Sequence, residues 1–156
     1  MTDRLPPRPL LALLLRLVHQ YYAQDVDAAL RAAGFGDIRP PHANVFPFVP
    51  PEGIQVSELA QLARVRKQTM AQTVEQLERA GYVERRPDPH DRRARLVFLT
   101  PRGQAVRPVT VAAGRRVEER WAQLTSPEEI EALRSSLQRL LAKLRNEPES
   151  EPSPDR

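Results

Sequence analysis

Residues 57–100, SELAQLARVRKQTMAQTVEQLERAGYVERRPDPHDRRARLVFLT, limit the possible folds of this chain more than any other stretch. In SELAQLA, Leu59 and Leu62 form a stripe at helical spacing, and Ala60 leaves room for a close neighbour. Ser57 is placed to cap this helix, and Glu58 suits the positive end of its dipole. A break near residues 63–65 leads into a second helix. There Met70, Val74 and Leu77 share one face, and Gly81 ends the run. YVERR and RLVFLT are short and apolar or β-branched, and PDPHD between them has the composition of a turn. A short helix, a tight turn, a second helix and a hairpin together read as a helix-turn-helix followed by a wing.

Charge marks the same segment. Between Arg64 and Arg95 stand nine Lys/Arg and five Asp/Glu, which account for the whole net charge of +4; the remaining fifteen of each sign cancel. An uncompensated run of arginines on a hairpin makes sense if an anionic partner supplies the counter-charge, because guanidinium pairs bidentately with phosphate. With Met70, Val74 and Leu77 facing inward, the helical step of about 100° turns Gln68 and Gln72 outward, flanked by Lys67 and Thr69. A helix held this way can enter a major groove, where glutamine pairs bidentately with adenine. The expected DNA-contacting set is therefore Arg66, Lys67, Gln68, Thr69 and Gln72 on the helix, with Arg92, Arg93 and Arg95 on the wing. Asp91 is placed to brace the loop. Arg85 and Arg86 lie on the first strand, where one of them is expected simply to cover the wing; Arg79 is expected to meet only solvent.

The rest of the chain reads as helix. Leu11, Leu14, Leu15, Val18, Tyr22, Val26, Ala29 and Leu30 recur at three- and four-residue spacing over about residues 9–33, before Gly34 and Gly36. Pro40 and Pro41 suit a first helical turn, but Pro47, Pro50 and Pro51 permit only a short or broken helix. A further helix begins near residue 101, and Pro108 and Gly114 should kink or weaken it. Ser126, Pro127 and Glu129 spell a capping box, and Ile130, Leu133, Leu137, Leu140 and Leu144 repeat at 3-4-3-4. Residues 147–156, proline-rich and acidic, are expected to be disordered. The fold class is mainly α (α+β).

Other chemistries find little support. The chain has no cysteine, which removes thiolate metal sites and disulfides. His19, His42 and His90 are far apart in sequence, no metal or cofactor is expected, and no nucleophile, base and orienting residue cluster, so an enzyme is not expected. Arg4, Arg8 and LLALLLRLV resemble the start of a signal peptide. Arg16 interrupts that run, no small-residue cleavage site follows closely, and the run is too short for a bilayer, so a cytoplasmic protein is expected.

From Ser57 to Gly103 the chain resembles, without a gap, the MarR family of winged-helix transcriptional regulators. The resemblance lies in Leu59-Ala60, Leu77-Glu78, Gly81 followed by YVERR, Asp91-x-Arg93, Leu99-Thr100 and Gly103. It implies a homodimer in which residues 1–36 and 101–146 form an N- and C-terminal helical dimerisation body, and residues 37–100 form the winged helix-turn-helix that binds a pseudo-palindromic duplex. It also implies a small, often aromatic ligand held between body and DNA-binding region, whose binding weakens that on DNA. Tyr21, Tyr22, His42, Phe46 and Trp121 compete for that role with simple helix packing, and His42 and Phe46 are singled out. Three positions depart from the family: Arg64 stands where the turn usually has glycine, Arg66 where a capping serine is usual, and Pro47 in the segment matching the family's second helix. Two other readings stay open: a low-specificity architectural DNA-binding protein, and a protein-interaction module on the same fold that no longer binds DNA.

Overall fold

The computed structural model describes residues 6–91 and 93–146. In chain order it holds α1 (Leu11–Ala32), a short 3-10 helix (Pro40–Asn44), β1 (Ile54–Gln55), α2 (Val56–Leu62), α3 (Lys67–Arg79), β2 (Val83–Pro87), β3 (Arg95–Leu99), α4 (Pro101–Leu124) and α5 (Pro127–Asn146). It is mainly helical with one small antiparallel sheet in the order β1-β3-β2. Among the described residues no helix is long and apolar enough to cross a membrane. The chain forms two compact units, residues 1–114 and 115–156.

In the first unit the core gathers under the sheet and the α2–α3 pair. Leu59, Met70, Val74, Leu77, Tyr82, Val83 and Val97 are all buried in one cluster. The hairpin is in register from Val83↔Leu99 to Pro87↔Arg95. Side chains alternate across a strand, so Val83 and Val97 turn inward. β1 is the strand that sequence reading missed. Its two residues, pairing Ile54 with Val97 and Gln55 with Leu96, are too few to show alternation.

Three helices end in the same way. After α1, α2 and α3, the residue at the left-handed position is Gly34 (φ 88°), Arg64 (φ 51°) and Gly81 (φ 76°). Each end carries the paired backbone bonds of a Schellman motif: Phe35 N–H to Leu30 O, Val65 N–H to Ala60 O, and Tyr82 N–H to Leu77 O close the longer loops. Arg64 is the only non-glycine residue with positive φ among the described residues. The turn keeps the geometry of the two glycine-containing ends despite the arginine, at a backbone cost of about 1–2 kcal/mol.

One expectation about helix boundaries is corrected. Ser57 does not cap α2: the helix begins one residue earlier, at Val56, with Gln55 as its cap residue and no side-chain cap bond. The chain arrives directly from β1, which fixes the helix entry before Ser57. α4 continues through Pro108 and Gly114 for 24 residues. Pro108 lies on an exposed face, where water can satisfy the carbonyl it leaves unpaired. Gly114 has a packing role: a Cβ there would lie 2.4 Å from the Tyr22 hydroxyl, so its absence lets Tyr22 of α1 cross α4.

In the second unit Ser126 Oγ accepts the Glu129 N–H at 3.1 Å, capping α5 at Pro127. Arg134 bridges Glu118 and Glu131. Trp121 lines a groove with Ile130, Leu133 and Leu137. α5 buries none of its residues within the chain. The tail from residue 147 lies outside the described residues.

Candidate nucleic-acid interface

The outward face of α3 follows from its inward one. Met70, Thr73, Val74 and Leu77 are buried, and Lys67, Gln68, Thr69 and Gln72 are exposed on the opposite side. Arg66, also exposed, occupies the N-cap position with φ −63° and ψ 141°, and no side chain caps the helix. The first amides of α3 therefore meet solvent beside Arg66 and Lys67. That end of the helix dipole favours an anion.

The wing tip is shaped by its aspartates. Asp91 Oδ1 accepts the Arg93 N–H at 2.9 Å, and Asp88 Oδ1 accepts the His90 N–H at 2.8 Å. Two backbone bonds, Ala94 N–H to Asp91 O and Asp88 N–H to Ala94 O, tighten the same loop. Arg93 and Arg95 are exposed. Arg92 lies outside the described residues.

The basic side chains divide into two groups. Arg79 pairs with Glu75. Arg85 Nε is buried 3.5 Å from Glu78 Oε2, close enough for an ion pair but not aligned as a hydrogen bond. Arg86 pairs with Glu84 and stacks 4.7 Å over the Phe98 ring. These arginines bind the wing and α3 to their own protein. By contrast, the side chains of Arg66, Lys67, Arg93 and Arg95 have no partner among the described residues. Arg66 and Lys67 stand at the start of the Gln68–Gln72 face, Arg93 and Arg95 stand on the wing, and none of them is neutralised from among the described residues.

A second feature lies between α1, residues 38–47 and the first half of α4. Tyr22, Val26, Leu30, Ile38, Phe46, Pro47, Val106 and Val111 enclose a mostly apolar cavity of about 380 Å³, with Asp27, Arg39, Arg107 and Thr110 as its polar members. Phe46 is part of this wall. His42 is not: it is buried, its Nδ1 accepts the Arg39 N–H at 3.0 Å, and its Nε2 lies 3.0 Å from Gln76 Oε1. Both ring nitrogens are thus engaged, Nδ1 at the start of the 3-10 helix and Nε2 in joining that helix to α3. Tyr21 is exposed. Arg107, which sequence reading passed over, donates to Phe46 O at 2.8 and 2.9 Å and to Val49 O at 2.5 Å. Its partners are backbone carbonyls, which leave no trace in residue identity.

A third cluster ties α3 to the start of α4. Tyr82 Oη donates to Asp37 Oδ1 at 2.5 Å, and Arg102 Nη2 donates to Asp37 Oδ2 at 3.1 Å. Arg102 also lies 4.2 Å over the Tyr82 ring and donates to Ala80 O. The hydrogen bond from Tyr82 holds the Asp37 carboxyl below its ordinary range, with Arg102 acting in the same direction. Burial, then Asp37, pushes the Tyr82 hydroxyl up to about 12. Unfolded tyrosine ionises near pH 10, so this group contributes stability that is complete below pH 10 and is lost as pH rises toward 12. Thermal unfolding between pH 9 and 12 should show a falling limb for the native protein that is shallower in Tyr82→Phe; parallel limbs would contradict the assignment.

Comparison with known proteins agrees with this geometry. Residues 48–94 match the model of the MarR family. The transcriptional regulator HosA of Escherichia coli O111:H- is 30% identical over 89 residues, which cover 57% of this chain and 66% of HosA, just under two thirds of that relative's length. A crystal structure of MarR superposes with a TM-score of 0.73 at 25% identity, covering 88% of this chain and 98% of that one. Streptococcus pneumoniae FabT, crystallised in complex with DNA, shares the fold with a TM-score of 0.69 at 22% identity over 86% of this chain and 93% of its own.

Proposed function

The chain belongs to the MarR family, and on that premise we propose that it is a transcriptional regulator that binds a pseudo-palindromic operator as a homodimer. The observation that carries this reading is the set of free cations around an outward glutamine-bearing face of α3. Gln68 and Gln72 read base edges, Arg66, Lys67 and Thr69 hold the helix to the backbone, and Arg93 and Arg95 reach phosphates from the wing. Arg92 is assigned to the same wing contact from its place in the sequence. The fold shared with DNA-bound FabT supports this docking. Exposed leucines along α1 and α5 support pairing of two chains, since a monomer would leave them in water. The cavity between α1 and α4, with Phe46 in its wall, suits a small aromatic ligand that releases the duplex. Such a regulator works in the cytoplasm, where the DNA is.

The test compares a labelled duplex from the intergenic DNA beside this protein's own gene with random duplex of equal length at matched salt. A specific regulator discriminates by at least about a thousandfold. Equal affinity would indicate an architectural role, and no salt-dependent association with either would indicate a protein-interaction module. Arg93→Ala should weaken both and flatten the slope of log K against log[salt] by about 1. An unchanged slope would remove Arg93 from the phosphate contacts.

A further inference from the structure

Arg64 occupies a backbone position that the chain fills with glycine at the ends of α1 and α3. All three helix ends have the same hydrogen-bonded geometry, so the turn itself does not require a side chain. Glycine adopts positive φ freely, whereas arginine does so at a cost. A strained residue that persists calls for a return elsewhere, and the local contacts provide none. Arg64 is exposed, and among the described residues its guanidinium makes no hydrogen bond, ion pair or ring contact. Arg79, Arg85, Arg86 and Arg102, which lie close by in sequence or on adjoining elements, all pair with carboxylates.

Arg64 shares its unpaired state with Arg66 and Lys67, two and three residues further along, at the uncapped start of α3. Three unpaired cations thus stand in four residues, at the point where the chain enters the reading helix. Like charges this close repel one another in the free protein, and an anion placed among them relieves that repulsion.

We propose that Arg64 is a DNA-backbone contact, adding a phosphate grip at the turn between α2 and α3 at the expense of fold stability. The proposal rests on the DNA-binding reading above. It makes stability and affinity move in opposite directions on one substitution, which neither a purely structural residue nor a passive surface charge would do.

The experiment uses the full chain and the labelled intergenic duplex, with three proteins: native, Arg64→Gly and Arg64→Lys. Arg64→Gly should raise the thermal midpoint, weaken binding by about three- to tenfold at moderate salt, and flatten the slope of log K against log[salt] by about 1. Arg64→Lys should keep the slope. An Arg64→Gly protein that binds with native affinity and slope would overturn the phosphate contact. A thermal midpoint that falls in Arg64→Gly would overturn the premise of strain. Failure of the native protein to bind any duplex in a salt-dependent way would instead defeat the DNA-binding reading itself, and is told apart by needing no variant.

Discussion

Alanine at Gly103 is expected to destabilise the fold by about 2 kcal/mol, although helix propensity alone favours alanine over glycine by up to about 1 kcal/mol. Gly103 is buried in the first turn of α4, and a Cβ there would lie 2.0 Å from Tyr82 O and 3.1 Å from Tyr82 C. The obstacle is backbone, and it cannot swing aside as a side-chain tip could. The same carbonyl accepts the Thr100 N–H at 3.1 Å, while Thr100 Oγ1 donates to Gly81 O at 2.6 Å and accepts the Gly103 N–H at 3.1 Å. Moving Tyr82 O would therefore disturb the helix start and the end of α3 together. For a chain of this size the thermal midpoint should fall by roughly 4–8 °C. A Gly103→Ala protein that melts at or above the native temperature would show that the close approach is absent in solution.

The second large effect concerns the proposed pairing of two chains. The double substitution Leu140→Glu with Leu144→Glu should yield a monomer at micromolar concentration. Its affinity for the intergenic duplex should fall by at least about a hundredfold, because the second half-site would no longer be held at high effective concentration. Leu140 and Leu144 are 43% and 47% exposed within the chain, and neither lines the groove beside Trp121. The substitutions thus leave that groove's lining intact while placing charge on a seam that would be buried between copies. Light scattering and anisotropy on the same samples make the check. A native protein that is already monomeric, or a variant that stays paired and bound, would refute the arrangement.

The reading region was legible in the sequence because its cues are local. Met70, Val74 and Leu77 mark the inward face of α3 by spacing alone, and Gly81 marks its end. The two strands of the hairpin and the turn between them could be read for the same reason. What escaped reading depends on residues distant along the chain. Arg107 finds its partners 58 and 61 residues away, and they are carbonyls, identical in every residue type. His42 read as a ligand-pocket residue, but Gln76, which engages its ring, lies 34 positions on. Gly114 read as a weak point in α4 because nothing in the sequence shows that Tyr22 crosses there. Ser57 read as a cap because the strand that precedes it has only two residues. The departure at Arg64 was visible as a residue out of place, but the backbone dihedral was needed to show that the turn had kept its shape around it.

The carbonyl of Tyr82 is wedged between Gly103 and the bond from Thr100, and this fixes where each strand of the hairpin is rooted. The inner ends of β2 and β3 are anchored, whereas the loop from Asp88 to Ala94 is closed by its own aspartates. The root and the tip are consequently separate parts. On the proposed DNA-binding reading, substitutions confined to the tip would therefore change what it meets on a duplex while leaving the angle at which the hairpin departs from the fold unaltered.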